Sequence, residues 1–215
     1  MLRSIITTAL LCTVGAGAAR AQTVREWFRM APCAEGASLQ PGAHRRVVVD
    51  QRNGWLQVSE DDEAGTTERT FAIFRQADGT RIFACHTAEE GPEDDQFRLA
   101  FYALRDGKME AVADRLVPEL DLEDFIAPGT RLPARRYRGV NLRYVLPRVG
   151  TTIRVEPHAI EDWPRYVYEV EPGHDVSAEE LDRYVQMVLH SRYRAIELAW
   201  NRDRGVFTVA RKIPR

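Results

Sequence analysis

Asn-Gly and Asp-Gly pairs between short runs of β-branched and aromatic residues constrain the fold of this chain more than any other feature. Glycine reaches the positive φ values that tight hairpin turns need, so each pair predicts a reversal of the chain. Apolar residues alternate with polar ones in the flanking runs, which is typical of strands with one buried face. The turns are Asn53-Gly54, Asp78-Gly79 and Asp106-Gly107. The sequence from Arg45 onward therefore predicts antiparallel hairpins.

Further hairpins are predicted in the second half of the chain. Residues 142–146 and 151–155 flank a four-residue connection, and the last two apolar runs flank a turn over residues 202–205. Together with the earlier hairpins, they predict an antiparallel meander of about eight to ten strands.

Two capping boxes predict two helices. In such a box a Ser or Thr side chain accepts from a free amide of the first turn, and a Glu three residues later reaches back to the cap. Thr23 and Glu26 predict a short helix over residues 24–31. Ser177 and Glu180 predict an amphipathic helix over about 177–191 that covers a face of the sheet. The predicted fold class is α+β, an antiparallel β-meander with a short N-terminal helix and one amphipathic helix near the C-terminus.

The N-terminal tract has the pattern of a cleavable signal peptide. Arg3 precedes an apolar tract over residues 5–19, and the alanines on either side of Arg20 give the small-residue pattern that signal peptidase recognises. Cleavage is therefore predicted between Ala21 and Gln22.

A membrane anchor and a lipoprotein signal are the alternatives for this tract. An anchor needs about 20 apolar residues, more than the tract offers. Lipid attachment at Cys12 is disfavoured because leucines precede it instead of a small residue. The sequence predicts a signal peptide over residues 1–21, a single β-rich domain over residues 22–215, no transmembrane anchor in the mature protein, and a periplasmic or secreted location.

Charge and cysteine content bound the partners and the redox state of the mature chain. Loss of the first 21 residues removes Arg3 and Arg20 from 30 basic residues, which leaves 28 against 32 acidic ones and a net charge of −4. This balance does not suggest nucleic acid as a partner. Cys33 and Cys85 remain, and an even pair in an oxidising compartment predicts a structural disulfide between them.

Several turn motifs share their residues with a known group of proteins. They are Asn53-Gly54-Trp55-Leu56, the turns over residues 74–79 and 102–107, and Leu146-Pro147 followed by residues 150–153. In these motifs the chain resembles a family of uncharacterised exported bacterial proteins over residues 50–215, with 157–193 looking like an insertion. The resemblance implies a β-rich envelope protein and no assigned activity.

The adjacent Cys85 and His86 are the first candidates for chemistry, because an imidazole can activate a thiol as a nucleophile. Neighbouring residues on a strand point to opposite faces, so a buried Cys85 predicts that His86 faces water and cannot bond to it. No nucleophile elbow of the Gly-x-Ser-x-Gly type occurs, and nothing marks a Ser-His-Asp triad. The sequence therefore predicts no catalytic residue.

The sequence predicts no metal site, and it does not single out an anion site. The histidines show no metal-ligand spacing, and the acidic runs lack the calcium-loop register, so they are interpreted as solvated loops. The histidines are His44, His86, His158, His174 and His190, and the acidic runs span residues 60–63, 89–95 and 119–124. A basic group could hold an anionic partner such as a phosphate-rich glycolipid, or could serve solubility. It comprises Arg131, Arg135, Arg136 and Arg138. We expect no cofactor.

The hypothesis from the sequence is a non-catalytic binding or structural domain, envelope-bound or secreted, whose unknown partner could be an envelope protein or a glycan. The alternative is a small secreted hydrolase with a loop-built active site, for which His158, His174 and Glu171 are candidate polar groups. A third possibility is that an exposed edge strand pairs with a partner strand.

Overall fold

A computed structural model describes residues 23–63, 65–91, 95–112, 116–127, 140–159, 186 and 190–215. The helix α1 spans Val24–Met30, and 3-10 helices span Pro32–Ala34 and Leu122–Asp124. The strands are β1 (Arg45–Asp50), β2 (Trp55–Asp62), β3 (Gly65–Arg75), β4 (Arg81–Glu90), β5 (Asp95–Arg105), β6 (Lys108–Ala111), β7 (Val140–Val145), β8 (Thr152–Ala159), β9 (Tyr193–Asn201) and β10 (Val206–Pro214). The described residues contain no helix long and apolar enough to cross a membrane.

The strands form two antiparallel sheets. Sheet 1 has six strands in the order β1-β2-β3-β4-β5-β6, and sheet 2 has four in the order β10-β9-β8-β7. The predicted hairpins and the β-rich class are confirmed. The expectation of one continuous meander is wrong, because the chain leaves sheet 1 after β6 and builds a second sheet over its face.

The main core lies between the two sheets. Phe74 of sheet 1 packs edge-on against Phe207 with ring centroids 4.9 Å apart and lies 5.6 Å from Trp200, both of sheet 2. The Trp200 indole N–H donates to the Arg75 carbonyl at 2.9 Å, and the Ala77 amide donates to the Arg202 carbonyl at 3.0 Å. Apolar packing and two hydrogen bonds therefore fix one sheet on the other.

The opposite face of sheet 1 is covered by α1. The capping box of Thr23 and Glu26 is present as predicted, and the helix ends at Met30, one residue before the predicted end. Phe28 packs edge-on against Phe71 at 4.9 Å, and Trp27 lies 5.7 Å from Phe83. Sheet 1 is therefore covered on both faces, which is why Phe71, Phe74 and Phe83 are all buried.

The first hairpin and its acidic end differ in detail from the prediction. Asp50 pairs with Trp55, so four residues form the turn, and the Asp50 carboxylate accepts from the Asn53 amide at 3.2 Å. Residues 60–62 belong to β2 and not to a loop. Glu60 pairs with Arg45 and, at 3.0 Å, with Arg69, so this carboxylate links three strands.

Other predictions lie largely or wholly outside the described residues. The predicted amphipathic helix over 177–191 is described only at residue 186, which is helical, and at residues 190 and 191. The His190 amide donates to the Gln186 carbonyl at 2.9 Å. This helix stays a prediction, as does the signal peptide with its cleavage site between Ala21 and Gln22.

Candidate functional site

Cys85 and His86 lie in the middle of β4 and point to opposite faces of sheet 1, as the strand geometry predicts. Cys85 packs on the side of α1, and His86 lies on the side of sheet 2. The expectation that His86 faces water is wrong, since only 2% of its surface is exposed. Sheet 2 covers the face that a single solvent-facing meander would have left open.

The Cys85 sulfur is at disulfide distance from the sulfur of Cys33, and the two Cα atoms are 6.6 Å apart. Cys33 belongs to the 3-10 helix that follows α1. Beside the pair, burial raises the pKa of the Tyr102 hydroxyl, and a hydrogen bond from the Cys33 backbone opposes that shift. The pair therefore connects the segment that covers sheet 1 to the centre of the sheet.

His86 lies among aromatic and polar groups from several strands. The Tyr144 amide of β7 donates to the His86 Nε2 at 3.4 Å. This bond requires an unprotonated Nε2, so we place the ring proton on Nδ1. The Phe97 ring stacks on the imidazole with centroids 6.2 Å apart. Thr70 of β3 is the cross-strand neighbour of His86. His86 thus connects β4 of sheet 1 with β7, an edge strand of sheet 2.

The charged groups next to His86 belong to a partly exposed cluster. Arg143 of β7 reaches Glu90 at 3.2 Å and Glu68 at 3.9 Å, and its guanidinium lies 6.0 Å from the centre of the Phe97 ring. His158 of β8 packs edge-on against Phe97, with the two ring centroids 4.9 Å apart. These side chains hold β7 and β8 on sheet 1.

Burial, and to a lesser degree the charge of Arg143, lower the pKa of His86 to about 4. Burial also raises the pKa of the Tyr144 hydroxyl. A general base works best with a pKa near the operating pH, which His86 does not have at neutral pH. The imidazole is therefore a neutral hydrogen-bond acceptor that orders the contact between the sheets.

We expect His86 to make stability depend on pH. Its pKa is about 6.5 when unfolded and about 4 when folded. Below pH 6.5 the unfolded chain therefore binds a proton that the folded chain does not. The stabilisation that depends on neutral His86 is complete above pH 6.5 and is lost as the pH falls to about 4. The free energy of unfolding falls by roughly 3 kcal/mol in total over this range.

The measurement is urea unfolding from pH 7 to pH 4 of the native chain and of His86→Gln, whose amide oxygen accepts at a similar position without titrating. We expect the native chain to lose stability relative to the variant over this range. Equal losses in both proteins would contradict the role of His86.

Among the predicted candidates that the structure describes, His158 lies at the edge of the His86 cluster. His44 lies in the loop before β1, and His190 lies three residues before the start of β9. His174, Glu171 and the basic group of Arg131, Arg135, Arg136 and Arg138 lie outside the described residues. Within the described ranges, no three His, Cys, Asp or Glu side chains are grouped so as to hold a metal.

An open cavity of about 460 Å³ lies beside α1 and the first 3-10 helix, and the sequence did not predict it. Phe28 and Pro32 supply apolar surface, and Arg29 and Glu35 supply charge. Arg29 and Glu35 are the ionisable side chains among its lining residues.

Comparison with known proteins assigns no activity to this chain. No protein-family model and no curated protein matches the chain. A solved structure, a domain of an uncharacterized protein from Porphyromonas gingivalis W83, is similar with a TM-score of 0.48 and 14% identity, over 79% of this chain and 81% of that one.

Proposed function

We propose that this chain is an exported protein of the bacterial envelope or its surroundings that acts by binding a partner and not by catalysis. The observation that carries the proposal is the separation of Cys85 from His86. The thiol faces Cys33 at disulfide distance, and the imidazole is buried on the other face with its pKa lowered to about 4. Cys85 therefore cannot act as a nucleophile that His86 activates as a base.

The cysteine pair also supports export. Stable disulfides are typical of proteins outside the cytosol, and a Cys33–Cys85 bond would require such a compartment. The signal peptide over residues 1–21 would supply the route. An extracytoplasmic location is compatible with the described structure.

The test of export is the intact mass of the protein recovered from fractionated cells, with free thiols blocked. We expect a chain that begins at Gln22, lies outside the cytosol and is two hydrogens lighter than the dithiol form. A cytosolic chain that keeps Met1 and carries three blocked thiols, at Cys12, Cys33 and Cys85, would overturn this half of the proposal.

The test of binding without catalysis uses the purified mature protein. We expect no turnover of ester, peptide or glycoside substrates, and cross-linking in intact cells to an envelope protein or glycan. Hydrolysis that is abolished by His158→Ala and retained in the matched variant His44→Ala would support the secreted-hydrolase alternative instead.

A further inference from the structure

Two edge strands bound each sheet of the described structure, β1 and β6 in sheet 1 and β7 and β10 in sheet 2. An edge strand exposes backbone N–H and C=O groups that can pair with another chain, and proteins usually block such edges. β6 is blocked by its length of four residues and by the exposed Lys108 and Glu110. Short, charged edges pair poorly.

The edges of sheet 2 are protected in other ways. The pairing of β10 with β9 shifts register between Val209 and Arg211, and the strand carries Lys212 and Pro214 after the shift. Bulges, charges and proline all disfavour further pairing. On β7 the Tyr144 amide is already bonded to His86. Both edges therefore carry a feature that opposes addition of a strand.

β1 is longer than β6, and it has neither the register shift nor the proline of β10. Its six residues pair with β2 without a register shift, and three of them are consecutive valines. The backbone N–H and C=O of Arg45 point away from β2. The N–H donates to the Gly42 carbonyl at 3.2 Å, and the C=O accepts from the Gly42 amide at 3.1 Å. Backbone directions alternate along an antiparallel strand, so Val47 and Val49 also face outward. No described residue outside β1 pairs with these two valines from that side.

We propose that β1 pairs antiparallel with β1 of a second copy of this chain, about a twofold axis through Val48. This pairing joins two six-stranded sheets into one continuous sheet and makes the protein a symmetric dimer. The inference does not depend on where the protein is located or on its partner in the envelope.

The backbone determines this register. Residues that face outward must oppose one another to exchange hydrogen bonds. With the axis at Val48, Val47 of each copy opposes Val49 of the other, so every outward N–H and C=O of these valines is bonded. An axis at Val47 would instead place Val49 opposite Arg45, whose backbone groups are already bonded to Gly42.

The side chains agree with the same register. Arg46 is exposed and has no ion pair among the described residues. It lies on the face that Asp50 also occupies, since the two are four residues apart along the strand. The axis at Val48 places Arg46 of each copy opposite Asp50 of the other, whose carboxylate already pairs with Arg148 of its own chain at 3.1 Å and accepts from Asn53. Arg46 is then a second cation beside that carboxylate, and opposite charges stabilise cross-strand pairs.

Cross-linking tests the register directly. Val48→Cys faces its own copy in a pair without hydrogen bonds, with Cα atoms about 4.5 Å apart, which suits a disulfide. Val47→Cys is the matched control, because its own copy lies about 8 Å away. Mild oxidation should link Val48→Cys into a dimer on a non-reducing gel and leave Val47→Cys monomeric. Failure of Val48→Cys to cross-link, or equal cross-linking of both variants, would overturn the proposal.

Sedimentation equilibrium tests the dimer itself. The native protein should approach twice its monomer mass as its concentration rises. Arg46→Asp places like charges opposite each other and should raise the dimer dissociation constant about tenfold or more. Arg194→Asp, an exposed residue of β9, makes the same charge change and should leave the constant unaltered. A native protein that stays monomeric throughout, or equal effects of both variants, would rule the interface out.

Discussion

Replacing Cys33 and Cys85 together by alanine is expected to lower the free energy of unfolding by about 4 kcal/mol. The two residues are 52 positions apart, and a bond between them closes a long loop that restricts the unfolded chain. A loss of this size is a large share of the roughly 5 to 15 kcal/mol that stabilises an ordinary domain. The measurement is equilibrium unfolding in guanidinium chloride.

Reductant supplies the matched control for this prediction. Added reductant should destabilise the native protein to about the level of the double variant and should leave the double variant unchanged. Two titratable thiols in the denatured, unreduced native protein would show that the bond does not form.

The second large effect is expected at Phe74, where truncation to alanine should cost about 3 to 5 kcal/mol. Phe74 is 1% exposed and contacts Trp200 and Phe207 of the other sheet, so its ring is shared by both. Because one core serves both sheets, we expect them to unfold together in a single transition. Val149→Ala is the control, since Val149 is 75% exposed and its loss should change stability by no more than about 0.5 kcal/mol.

Hydrogen exchange during denaturant unfolding of Phe74→Ala distinguishes shared from separate cores. Peptides from β4 and from β9 should lose protection at the same denaturant concentration. If β9 exchanged freely while β4 stayed protected, the two sheets would be independent units and the shared-core interpretation would be wrong.

Local signals in the sequence predicted most of the strands correctly. The glycines at 54, 79 and 107 have positive φ in the structure, as their turns require. The hydrogen bonds of the capping box join Thr23 to Glu26, three residues later, so its prediction needed no knowledge of the rest of the fold. The pairing of Cys33 with Cys85 followed from the predicted removal of Cys12 with the signal peptide and from the predicted oxidising compartment, and it agrees with the placement of the two sulfurs.

The predictions about His86 and about the layout of the sheets failed for a common reason. Period-two alternation shows that a strand has two different faces, but not what covers each face. A buried Cys85 predicts by alternation that His86 faces water, whereas both faces of β4 are buried. A polar residue can occupy such a position when a distant strand supplies its partner, here the Tyr144 amide 58 residues away.

The sequence by itself determined where the chain reverses, where the first helix begins and which residues alternate along each strand, because these features depend on φ values and hydrogen bonds within a few residues. Only the tertiary structure decided that the strands divide into two packed sheets and that His86 is a buried neutral acceptor. It also decided which of the described strands lie at the edges of the two sheets. Those outcomes depend on contacts between residues far apart in the chain, whose free energies no short segment encodes.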